Sequence, residues 1–162
     1  MGEHERNVIA DAIDGAIAGL VATWVMGKVT TLLYERENEE ARRREDDARG
    51  GRTSYGVAAE KGARLIGLTL PEDRSEAAGS RLHWALGIGM GAAYGIMRSR
   101  LPFADRAGGL LFGTAFFLAV DEIGTTVLRL TPPPNAFPWQ AHARGLAGHL
   151  TYGAVANAVA RL

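Results

Sequence analysis

The chain has no cysteine. Disulfides and thiolate metal sites are therefore excluded, and nothing follows about the redox compartment. No sign of charge prevails either: 18 Lys and Arg balance 18 Asp and Glu, which argues against nucleic acid as a partner. No stretch alternates polar and apolar residues as a strand would, and no glycine-rich phosphate loop follows one. Neither Glu-x-x-His nor His-Glu-x-x-His occurs, so the spacing of helical di-metal and zinc-protease sites is missing. The opening MGEHERN lacks the basic start and the cleavage site of a signal peptide.

What the chain does have is one apolar stretch around which the rest is arranged. Residues 107–128 (AGGLLFGTAFFLAVDEIGTTVL) are long enough to cross a bilayer as a helix, and they carry an adjacent acidic pair, Asp121 and Glu122. A carboxylate near mid-membrane costs ~2.5–3.5 kcal/mol on insertion scales, and each Leu, Ile, Phe or Val offsets ~0.3–0.6 kcal/mol. Ten such apolar residues lie in the stretch. Their ~3–6 kcal/mol nearly balances the ~5–7 kcal/mol of the pair, so the helix needs a polar group, water or a counter-charge to receive the carboxylates.

Three further apolar segments stand at about 8–34, 82–97 and 141–160, with a charged insert over 35–81. The expected fold is all-α: a single membrane domain over 1–162, a four-transmembrane-helix bundle with a helical insert between spans one and two. The second and fourth segments are short for a ~30 Å hydrocarbon core, which keeps a soluble helical bundle in view. Glycine spacing favours the membrane. Gly15 and Gly19, Gly87, Gly91 and Gly95, and Gly109 and Gly113 all recur every four residues. In water each glycine weakens a helix by about 1 kcal/mol, whereas in lipid this spacing lets helix backbones approach and pack. ERENEEARRREDDAR (35–49) reads as a solvated extension of the first helix, ending at Gly50 and Gly51, and 56–68 as a short amphipathic helix. The connector TPPPNAFPW cannot be helical at its prolines, and it places Phe137 and Trp139 as interfacial anchors.

Four spans put both termini on one side, side A, and the insert and proline connector on the other, side B. Counting helical rise from side B, Asp121 and His149 both lie on the order of 10 Å deep. Lys28, His83, Glu122 and His142 fall in the same leaflet, while Asp11 and Asp14 fall near Arg98, Arg100 and Arg106 at side A. Asp121 is expected to face His149. Glu122, about 100° away around an α-helix, is expected to face Lys28 or a neighbouring subunit. A metal site from His83, Asp121, Glu122 and His149 would require convergence across helices, and haem ligation by His83 and His149 has no motif behind it. Side B carries twelve Lys and Arg against five on side A, Arg6 among them, which predicts a cytoplasmic side B.

LHWALGIGMGAAYGIM (82–97), the GLLFG start of the third span and LTPPPNAFPW…GLAGHL (130–150) resemble the YagU-type family of small bacterial inner-membrane proteins. The resemblance covers the second half of the chain well and the first span loosely. It departs from the family in the insert 35–49 and in Asp121 and Glu122. It implies an inner-membrane protein with four helices and no assigned activity.

The reading that results is a multi-pass membrane protein in contact with the lipid bilayer, homo-oligomeric, with an intramembrane Asp/Glu/His cluster used in proton- or ion-linked permeation. The alternatives are a metal- or haem-binding membrane enzyme and a non-catalytic scaffold acting through 35–79. The cofactor is unknown, and an enzyme is the less favoured reading.

Overall fold

The computed structural model describes residues 7–101 and 103–162, and among them all regular structure is helical. Arg6, counted above for side A, lies outside the described residues. The main elements are α1 (Val8–Glu35), α2 (Glu39–Arg49), α3 (Ser54–Leu65), α4 (Glu72–Arg100), α5 (Leu110–Phe116), a π-helical turn (Phe117–Gly124), α6 (Thr125–Val127) and α7 (Trp139–Val159). Two stretches, Val8–Glu35 and Arg106–Val127, are long and apolar enough to cross a membrane.

Local chemistry explains the boundaries. Asn7 and Asn38 start α1 and α2 by accepting hydrogen bonds from the N–H groups of Ile9 and Ala41 at 2.9 and 2.8 Å. Thr53 caps α3 in the same way, at 2.9 Å from the Gly56 N–H. Gly50 ends α2 in the left-handed conformation (φ 60°) that a glycine adopts without strain. The insert is therefore not a continuation of the first helix, as expected, but a separate helix begun by its own cap. The amphipathic helix expected over 56–68 runs over Ser54–Leu65, and the second segment starts ten residues earlier than expected, at Glu72.

Glycine governs how the helices pack. α1 and α4 run antiparallel with almost no side chain between them. A methyl group on Gly19 would lie 2.8 Å from the Gly91 Cα, and one on Gly15 or Gly95 would lie 2.9 Å from the other's Cα. Real Cβ atoms are never held so close, so only glycine permits this approach. A second seam joins the third segment to α7: Gly109 opposes Gly153, Gly113 opposes the His149 carbonyl, and Gly145 receives the Phe117 ring. α7 also lies on α1, where Gly148 meets Thr30 and Met26.

The seams leave large apolar side chains on the outside. Ile9, Ile13, Ile17, Leu20 and Trp24 of α1 and Leu111, Leu118 and Ile123 of the third segment are exposed. The interior instead centres on an aromatic stack of Tyr94, Phe112, Phe116 and Tyr152, with Tyr94 and Phe112 rings 4.8 Å apart.

Candidate functional site

The site begins with a departure from α-helical geometry. Over Phe117–Gly124 the backbone winds as a π-helix, and the Thr125 N–H bonds the Val120 carbonyl five residues back. Gly124 accommodates the wider turn, since a methyl group there would sit 2.9 Å from the Ala119 carbonyl oxygen. The Thr125 and Thr126 hydroxyls donate to the carbonyls of Asp121 and Glu122, which absorbs acceptors the altered turn would leave poorly matched. Asp121 and Glu122 are thus the centre of the irregularity. On a regular helix they would diverge by about 100°. Here both carboxylates line one cavity.

That cavity has a volume of about 370 Å³ and opens at side B. His83 from α4, Asp121 and Glu122 from the π turn, His142 and Arg144 from α7 and Arg49 from α2 contribute its charged and titratable lining. Met26, Phe117, Phe137 and Tyr55 contribute the apolar and aromatic remainder. His149 lies just behind, 2% exposed, against the Phe116 and Phe117 rings. Below it the aromatic stack of Tyr94, Phe112, Phe116 and Tyr152 closes the interior toward side A.

The carboxylates have different partners. Glu122 Oε1 lies 2.7 Å from His142 Nδ1, and His142 Nε2 lies 3.0 Å from the Pro134 carbonyl oxygen. A carbonyl only accepts, so Nε2 carries a proton, and the remaining contact is one proton between imidazole and carboxylate. Asp121 Oδ2 stands 3.8 Å from His149 Nδ1, but that nitrogen donates to the Gly145 carbonyl at 2.9 Å. Among the described residues no hydrogen bond reaches the Asp121 carboxylate. His83 faces it from α4, Tyr55 from α3, and His149 from α7. Burial, with the Asp121 charge adding to it, pushes the Tyr55 phenol above its ordinary value, so Tyr55 stays a neutral donor beside the cavity.

Two expectations fail here. Lys28 shares the depth of the cluster but is exposed on the outer face of α1 and lines no part of the cavity, and Glu122 faces His142 instead. The convergence that a metal site at His83, Asp121, Glu122 and His149 would require is not seen: among the described residues no group of three or more such side chains is placed to hold an ion. The π turn sends Glu122 to His142, and Gly145 engages the coordinating nitrogen of His149 that faces Asp121.

The mouth of the cavity was not anticipated. Arg144, 11% exposed at its side chain, bonds Glu37 at 2.5 Å and both oxygens of Glu45 at 2.6 and 2.5 Å, with its guanidinium 5.0 Å from the Tyr34 ring centre. Arg49 adds a 2.7 Å bond to Glu45. Burial pushes the Glu45 carboxyl up, but the hydrogen bonds from Arg144 and Arg49 outweigh it and hold the group below its ordinary value of 4.5. The charged insert is therefore clasped onto α7. Phe137, expected as an interfacial anchor, lies against His142 and under Arg49 instead. On the other flank Lys61 of α3 donates to the Leu128 and Arg129 carbonyls at 2.8 and 2.9 Å, capping the end of the third segment. An arginine three residues into an apolar segment, opposite an insert rich in acids, was the available signal for this clasp.

No family model, curated protein or solved structure matches the chain. The functional reading stands on the site itself.

Proposed function

We propose that the protein is a four-span inner-membrane protein that moves protons, alone or with an ion, through the Asp121 cavity. One observation carries the reading: a carboxylate without a hydrogen bond, held by a π turn in an apolar segment, faces a cavity open at one end and closed at the other by packed aromatic rings. Such a group is costly in a bilayer and is retained there for function. His83 and His149 stand beside it, and histidine exchanges protons near neutral pH. The exposed apolar faces of α1 and the third segment support burial in lipid.

A bacterial inner membrane, a cytoplasmic side B and association of several copies belong to the same proposal. They draw on the YagU-type resemblance and on the Lys and Arg bias. Reconstitution into liposomes with an internal pH-sensitive dye tests it. The full chain should collapse an imposed pH gradient faster than empty liposomes, and Asp121→Asn should remove that excess. An unchanged rate in Asp121→Asn, or no excess in the native chain, would sink the proposal.

A further inference from the structure

The polar cavity has an apolar neighbour. Between α4 and the third segment lies a second cleft of about 360 Å³, walled by Leu82, Leu86, Ala119, Val120 and Leu128 and roofed by Ala58 of α3. The two cavities adjoin, and Ser54, Tyr55 and Thr125 line both. The cleft exists because the third segment packs its backbone on α7 and meets α4 through side chains. It lies at side B, flanked by the exposed Leu82 and Leu128.

We infer that the pair of cavities binds a single-chain amphiphile with a cationic amine head, the ammonium at Asp121 and the tail in the apolar cleft. The assignment deepens the proton reading of the same site and rests on Asp121 as its chargeable centre. Charge selects the head. The cavity's guanidiniums, Arg49 and Arg144, are already engaged by Glu45 and Glu37, and Glu122 is engaged by His142. Among the described carboxylates of the cavity, Asp121 has no hydrogen bond on either oxygen and so keeps both acceptors for a new donor, with His83 from α4, His149 from α7, Tyr55 from α3, Glu122 on its own turn and Arg49 from α2 as its ionisable surroundings. Tyr55 and Phe117 also line the cavity, and aromatic rings attract a cation. An anionic head would meet two carboxylates, and a neutral one would leave Asp121 without a counter-charge. The route from the bilayer is lateral, through the gap between α4 and the third segment. The amine therefore arrives from the lipid and meets the proton-exchanging carboxylate from the side.

Equilibrium binding of radiolabelled dodecylamine to the full chain in zwitterionic nanodiscs tests this, with empty nanodiscs as the blank. Binding should saturate above the blank and be displaced by unlabelled dodecylamine, but not by dodecanol or dodecyl sulfate. Asp121→Asn should weaken it by about tenfold or more, as loss of a charged hydrogen-bond partner does. Asp121→Glu should retain it, which separates charge from misfolding. Leu82→Trp, on the α4 wall of the cleft and outside the polar cavity, should block the tail and weaken dodecylamine binding while leaving proton flux in place. Displacement by dodecanol as effective as by dodecylamine, or equal binding to the native and Asp121→Asn chains, would overturn the inference. Proton flux without saturable dodecylamine binding removes this inference alone; binding without flux removes the proton reading alone.

Discussion

His149 and Asp121 face each other across 3.8 Å without a hydrogen bond, because His149 Nδ1 donates to the Gly145 carbonyl one turn back. The histidine is fixed by its own helix, and the carboxylate is left facing the cavity. Their coupling should accordingly be weak. In a double-mutant cycle read by thermal unfolding in detergent, Asp121→Asn and His149→Ala should combine with an interaction energy of only about 0.5–1 kcal/mol. His149→Ala alone should destabilise by about 2–4 kcal/mol, since it empties a buried site against Phe116 and Phe117. A coupling near 3 kcal/mol would mean a direct bond between the two.

Glycines two residues apart on α4 should respond oppositely to the same change. Gly91→Ala drives a methyl group into the Gly19 backbone, and Gly89→Ala meets nothing within 4 Å. The first should cost about 3 kcal/mol or more by forcing the helices apart. The second should be neutral or stabilise by up to about 1 kcal/mol through helix propensity. Melting temperatures of the two variants in one detergent decide it.

Arg144→Met should release the insert. It leaves Glu37 buried without its cation and Glu45 with Arg49 alone, a loss of about 3–5 kcal/mol when one partner of a buried pair is removed. Limited proteolysis should then cut within residues 36–53, where the native chain should resist.

Acid should do the same more gently. The Glu45 carboxyl is held below 4.5 in the folded chain, so its ionised form is favoured by folding. That contribution is complete above 4.5 and is lost as pH falls through the lowered folded value. Protection of 36–53 from an acid-active protease should fall below about pH 4.5, and Glu45→Gln should flatten the dependence.

The cysteine-free sequence makes orientation directly measurable. Arg43 is exposed on α2, so a cysteine placed there should resist a membrane-impermeant thiol reagent in intact cells and react once the membrane is opened. Labelling in intact cells would place side B outside.

Much of this site could be read from the chain by counting depth. His83, Asp121, Glu122 and His142 fall near the same end of their segments by helical rise, and the structure gathers them around one cavity. Depth says nothing about facing, and Lys28 shows the consequence. It lies nine residues beyond Gly19, half a turn off the face that packs on α4, so periodicity already pointed it outward. The glycine repeats of three segments were visible, but their partners were not: Gly145, Gly148 and Gly153 of α7 complete the seams without a four-residue repeat of their own pairing. The clasp of Arg144 was hidden because an acid-base run reads as solvated until a buried arginine is assigned to it. The π turn left no periodic trace, since apolar residues surround the pair on every side.

That turn has a further consequence, for insertions and deletions. A π turn closes its hydrogen-bonded ring over one residue more than an α turn, so Phe117–Gly124 holds a surplus residue within an otherwise α-helical rod. Removing one residue there would restore ordinary winding while leaving α5 on α7 and α6 under Lys61. The acidic pair is thus lodged in the one part of the segment whose length can change without re-registering the rest, and the helix could gain or lose its carboxylate site in a single genetic step.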